Sequence, residues 1–78
     1  MTTYEREQQQ IDEAILKFPG EFRLRAYPAY RFRLSDRLRH FVDHNGDVQL
    51  VVDAMQPNGE WLNFSRGTVA EIAREVRK

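Results

Sequence analysis

Cysteine is absent from the 78 residues, which excludes a disulfide framework and a thiolate metal cage alike. Glycine occurs four times and never as a phosphate-cradling loop, and the two serines, Ser35 and Ser65, lie outside any Gly-x-Ser-x-Gly elbow. The two histidines, His40 and His44, stand four apart with Asp43 and Asp47 nearby. That stretch offers no third well-oriented ligand outside a turn. His40 therefore reads as a partly buried strand residue and His44 as a turn former, and no metal site is expected. Gly46 falls between Asn45 and Asp47 instead of after the last acidic residue, which also argues against a calcium loop. No apolar run exceeds three residues, against the ~20 that a membrane-crossing helix needs, so no membrane partner is expected. No charged-then-apolar leader opens the sequence, and the expected location is the cytoplasm. A dominant charge is lacking too: 12 Lys and Arg balance 12 Asp and Glu, which fits neither a polycation nor an acidic mimic of nucleic acid. With no catalytic grouping and little room for a water-excluding cleft, neither an enzyme nor a cofactor is expected.

What the chain does have is 41% apolar and 12% aromatic residues, enough for one core, and the expectation is a single domain over 1–78. Tyr4, Ile11, Ile15 and Phe18 recur at helical spacing with Ala14 beside them, which predicts a helix over 4–18 with that stripe buried. Phe18-Pro19-Gly20 stops it. From Phe22 to Leu34 the period changes to two. Phe22, Leu24, Ala26, Pro28, Tyr30, Phe32 and Leu34 alternate with a largely basic set that includes Arg23, Arg25, Arg31 and Arg33. Parity leaves open whether this is one bent strand or a hairpin. A three-residue loop at 27–29 would pair Leu24 with Phe32 and Phe22 with Leu34, but would set arginine against arginine on the other face.

Leu38–Val42 continues as strand, and Asp43-His44-Asn45-Gly46-Asp47 is a hairpin turn into a strand over Val48–Met55. Gln56-Pro57-Asn58-Gly59 turns the chain again. The return strand sets Ala54 against Leu62, Val52 against Phe64, Met55 against Trp61 and Asp53 against Asn63. Leu50, Val52, Ala54, Leu62 and Phe64 then face inward. Thr68-Val69-Ala70-Glu71 fits a capping box that opens a helix with Val69, Ile72, Ala73 and Val76 inward, and Arg74, Arg77 and Lys78 favour its C-terminal end. The expected architecture is α+β. An N-terminal helix, an antiparallel meander of three to four strands and a C-terminal helix run in the order α-β-β-β(-β)-α, with the helices on one face of the sheet.

Two surfaces stand out. Ten of the twelve cations are arginine, and residues 21–40 hold Arg23, Arg25, Arg31, Arg33, Arg37 and Arg39 against only Glu21 and Asp36. Residues 41–60 hold four carboxylates and no cation, so zero net charge conceals a dipolar molecule. Guanidinium forks bind carboxylates and phosphates through paired hydrogen bonds. The competing reading is that these arginines pair with Asp43 and Asp53 of neighbouring strands and guard a sheet edge. The second surface is apolar: Trp61, Met55 and Val51, with Phe41 near them and Arg39 and Asp53 at the rim, all face away from the helices. These are residue types enriched at interfaces, unless the helix over 4–18 covers that face.

The order helix, three strands, helix is similar to that of double-stranded-RNA-binding domains. Those domains carry a lysine cluster at the start of the last helix. Here Phe64–Glu71 supplies Arg66 and then Glu71, so the resemblance is one of element order and includes no motif. The sequence thus points to a small non-catalytic regulator or inhibitor that binds a larger protein. Arg23, Arg25, Arg31, Arg33, Arg37, Arg39, Met55 and Trp61 are the candidate contacts. Stand-alone domains of this kind are common among phage and mobile-element products that act on host proteins. The alternatives are nucleic-acid binding by the arginine face, with Tyr27 or Tyr30 stacking on bases, and a homodimer or larger homo-oligomer with the apolar patch as its seam.

Overall fold

The computed structural model describes residues 3–77. Helix α1 (Thr3–Lys17) leads into strands β1 (Glu21–Leu24) and β2 (Tyr27–Leu34). A single 3-10 turn (Asp36–Leu38) precedes β3 (His40–Val42), which is followed by β4 (Val48–Met55), β5 (Trp61–Gly67) and helix α2 (Val69–Glu75). The fold is α+β as expected, with an antiparallel sheet between terminal helices. β2 and β3 both pair with β4, at Val52–Ala54 and Val48–Leu50, while β5 takes its other side. Five strand segments therefore occupy four places across the sheet. The reason is local. Val51 accepts the Ser35 N–H (2.9 Å) and donates to the Arg39 carbonyl (3.0 Å), so the chain between those residues swings out and returns to the same edge. Strand structure accordingly resumes at His40 and not at Leu38. Buried Ser35 holds the excursion, accepting the Leu38 N–H on its carbonyl and the Arg39 N–H on Oγ (2.7 Å). Arg37 and Leu38 lie there at φ 63° and 50°, a conformation that costs roughly 1 kcal/mol or more per non-glycine residue.

β4 is the centre of the core. Val48, Leu50, Val52 and Ala54 are buried and the residues between them are not, the alternation expected of a strand with one covered face. Ala14, Phe18, Leu24, Phe32, Val69 and Ile72 complete the core, so both helices lie on the same face of the sheet. The two tight turns follow their chemistry. Gly46 (φ 81°) closes the β3–β4 turn, where Asp43 accepts the Asn45 and Asp47 N–H groups, and Gly59 (φ 87°) closes the β4–β5 turn. Ala54–Leu62, Met55–Trp61 and Asp53–Asn63 pair as the sequence predicts. Beyond them the register shifts by one and Val52 meets Ser65 instead of Phe64.

β1 and β2 form a hairpin, but its turn is Arg25-Ala26 and its register differs from the expected one. Phe22 opposes Phe32 and Glu21 opposes Arg33. At Glu21–Phe22 this two-residue slip preserves the expected faces and gives Arg33 a carboxylate opposite it in place of an arginine; a bulge then sets Leu24 opposite Tyr27 and turns Tyr27, expected on the basic face, to the inner one. The hairpin is held from outside. Arg25 N–H donates to Glu75 O, Arg77 N–H donates to Arg23 O (both 2.8 Å), and Leu24 bridges to Val76. The chain after α2 thereby covers the outer edge of β1. α2 itself opens on the predicted capping box, with Thr68 Oγ1 accepting Glu71 N–H (3.2 Å) and Glu71 Oε1 accepting Thr68 N–H (3.0 Å). It ends at Glu75. Arg74 occupies its last turn, Arg77 is in the edge-pairing segment, and Lys78 lies outside the described residues.

α1 is rotated relative to the predicted stripe. Tyr4 is 72% and Ile15 47% exposed, whereas Ala14 is fully buried. Ile11, half-buried against the core, and buried Phe18 keep their predicted places, but the inward line runs Glu7, Gln10, Ala14, Phe18, because polar groups at the end of the sheet need partners. Gln10 Oε1 accepts the Val48 N–H (2.9 Å), Arg6 donates to Asp47 (2.9 Å), and Glu7 accepts from His40 Nε2 (2.9 Å). The other ring nitrogen of His40 faces the Leu38 carbonyl (2.8 Å). Facing a carbonyl and a carboxylate, the ring satisfies both contacts as donor when both nitrogens carry protons. The Leu38 carbonyl foremost, then Glu7, holds the His40 pKa above its ordinary value near 6.5, against partial desolvation. Stability from this contact is complete below that ordinary value and is lost as pH rises through the raised one. Melting temperature should therefore fall on raising the pH through neutrality. The fall should be smaller in Glu7→Gln; an equal fall in both proteins would remove His40–Glu7 as its source.

Candidate functional site

The inner face of the sheet carries both helices, while the outer face carries no element among the described residues. On β1 and β2 the outer face holds Glu21 with Arg23, Arg31 and Arg33. Arg31 donates two hydrogen bonds to the Glu21 carboxylate, from Nε (2.5 Å) and Nη2 (2.7 Å). Those bonds hold the Glu21 pKa below the usual carboxylate range against partial desolvation, with added contributions from the charges of Arg31, Arg33 and Arg23. Arg23 also donates to the Pro28 carbonyl (3.1 Å). The six arginines do not form one patch. Arg23, Arg31 and Arg33 gather around Glu21, Arg25 occupies the β1–β2 turn, and Arg37 and Arg39 stay exposed on the excursion between β2 and β3.

Arg33 crosses the sheet. Its guanidinium lies 4.3 Å from the centroid of the Trp61 ring, and Trp61 is the cross-strand partner of Met55. The arginine surface and the Trp61–Met55 surface are therefore continuous, joined by this pair. Both Trp61 and Met55 are half-buried, Asp53 stands on the same face as predicted, and the arginine at this rim is Arg33, not Arg39. A second such pair lies further along, with the Arg66 guanidinium 4.8 Å from the centroid of the Phe41 ring. α1 does not cover this face, since its contacts are with the inner one.

The expected pairing of strand arginines with Asp43 and Asp53 does not form. Asp43 is taken by its own turn and by the Gln49 amide (2.8 Å), and that amide foremost keeps its carboxyl below the usual range. Asp53 stands opposite Arg33 in register, yet among the described residues it makes no ion pair.

A second exposed surface escaped the sequence reading. Leu62 is 51% and Phe64 41% exposed, so neither joins the core. With Tyr27 and Tyr30 they cap the part of the inner face that α2, seven residues long, does not reach. Tyr27 meets Phe64 edge-on at 4.9 Å, and Phe64 meets buried Phe32 at 5.1 Å across the small side chain of Ala54. The signal available in the sequence was the short helix set against a long β4–β5 hairpin.

Between α2 and β5 lies a cleft of about 360 Å³ with Leu24, Val52 and Ile72 as apolar lining and Glu71, Arg74 and Glu75 as charged lining residues. Ser65 also lines it, whereas neither histidine does. Among the described residues no three His, Asp or Glu side chains converge as metal ligands, and no helix is long and apolar enough to cross a membrane. Comparison with protein-family models, curated proteins and solved structures finds no match to this chain.

Proposed function

We propose that this chain is a non-catalytic binding protein, a small regulator or inhibitor that presents the outer face of its sheet to a larger protein. The observation that carries the reading is the Arg33–Trp61 pair beside Met55 on a sheet face that, among the described residues, no helix covers. Tryptophan and arginine dominate the energetics of protein interfaces, and methionine adapts to irregular apolar partners. Holding the guanidinium on the indole restricts both side chains before contact, which lowers the ordering cost of association. Arg23 and Arg31, arranged about Glu21, would form the polar rim of such a contact.

The test is affinity capture with the intact chain, followed by titration of the purified captured protein against wild type, Trp61→Ala and Arg33→Glu. Each variant should weaken binding by about 30-fold or more, the scale of a hot-spot residue, with the far-UV circular dichroism unchanged. Unaltered affinity in both would remove this face from the contact. Oligonucleotide binding that falls by orders of magnitude between ~50 and ~200 mM salt would assign the arginines to phosphates instead. A doubled mass by light scattering, abolished by Trp61→Ala, would make the face a seam between copies of the chain.

A further inference from the structure

We propose that the outer face recognises an acidic, extended segment of its partner, with Arg33 and Arg66 as two carboxylate receptors; this rests on the reading of that face as the contact surface. Each guanidinium crosses the sheet in the opposite sense, Arg33 from β2 to Trp61 on β5 and Arg66 from β5 to Phe41 on β3. A guanidinium held with its central carbon over a ring, at 4.3 Å for Arg33 and 4.8 Å for Arg66, is restrained in place and keeps a planar fork of N–H donors that can meet a carboxylate with two parallel bonds. Among the described residues neither arginine makes an ion pair, although Asp53 is the cross-strand neighbour of Arg33. Arg33 Nε is enclosed with no acceptor among the described residues, so a carboxylate would be received by the two terminal nitrogens of the guanidinium.

Arg33 and Arg66 stand opposite Asp53 and Val51, two positions on the same face of β4 and roughly 7 Å apart along it, and they lean toward opposite ends of the strand. A segment lying along β4 would meet one guanidinium toward each end, with Val51 and Met55 available to its apolar side chains. Nucleic acid fits less well. A phosphate backbone repeats its charge at every nucleotide, whereas Glu21 and Asp53 interrupt the cations of this face.

The experiment titrates the intact chain with three probes: a short peptide alternating Glu with Val, its Lys-for-Glu counterpart, and an oligothymidylate of the same length. Nitrogen-15 NMR follows the arginine Nε–H and tryptophan indole signals. The Glu/Val peptide should move the signals of Arg33, Arg66 and Trp61, and the Lys/Val peptide should not. Arg33→Gln and Arg66→Gln should each weaken that binding about tenfold. Arg33→Lys should weaken it as well, because an ammonium keeps the charge but not the planar fork. Undiminished binding by the glutamine variants, shifts centred on Arg37 and Arg39, or preferential binding of the oligothymidylate would overturn the proposal. If the captured protein still depends on Trp61 while the Glu/Val peptide does not bind, the acidic chemistry fails and the contact face stands. If dependence on Trp61 is lost as well, the reading of the face fails with it.

Discussion

Phe32→Ala should cost the folded state about 3–5 kcal/mol, the range for deleting a buried phenylalanine. A chain of this length is stabilised by roughly 4–12 kcal/mol in total, so the variant should sit near the edge of folding. The size of the effect follows from the position of the ring. Phe32 is fully buried and touches Phe22 on β1, Tyr27 and Tyr30 on its own strand, and Phe64 on β5. Removing it leaves a void that the backbone pairing of β2 with β4 prevents from collapsing. Phe64→Ala is the control, since that ring remains 41% exposed and should lose about half as much. Urea denaturation followed by circular dichroism measures both. Equal losses would mean that Phe32 is no better enclosed than Phe64.

Ala14→Leu should destabilise the protein by about 1–3 kcal/mol, while Ile15→Ala, at a side chain 47% exposed, should cost only about 1 kcal/mol. Hydropathy alone argues the reverse, because it places Ile15 in the buried stripe of α1. In the folded protein Ala14 is fully buried against the core, and three added carbons have no space there. Relieving the clash requires α1 to lift, which strains the Gln10–Val48 and Glu7–His40 contacts at its other end. Thermal melts of the two variants decide the matter. A larger loss from Ile15→Ala than from Ala14→Leu would restore the stripe of Tyr4, Ile11, Ile15 and Phe18.

The candidate site was legible as two separate halves. Alternation over 22–34 and 48–55, with the Met55–Trp61 pairing, places Arg31, Arg33, Met55 and Trp61 on the face away from the helices, since parity survives any even error in register. Their continuity was not legible, because it depends on Arg33 reaching past β4 to a ring 28 positions along the chain. Nor could alternation show that Arg37 and Arg39 leave the sheet. That follows from both hydrogen bonds of Val51 being claimed from the two sides of the excursion.

The sequence by itself determined the elements whose causes lie within a few residues. Period-two burial of β4, the turns at Gly46 and Gly59, and the Thr68–Glu71 box each depend on contacts between near neighbours in the chain. Tertiary structure decided the rest. The rotation of α1 follows from a carboxylate meeting a histidine 33 residues away, and the β1–β2 register is braced by a segment beyond α2. Exposure of Leu62 and Phe64 follows from where α2 stops over the sheet. Side-chain parity and turn chemistry are local properties of a chain, whereas what covers a face is settled by the groups that distant segments must satisfy together.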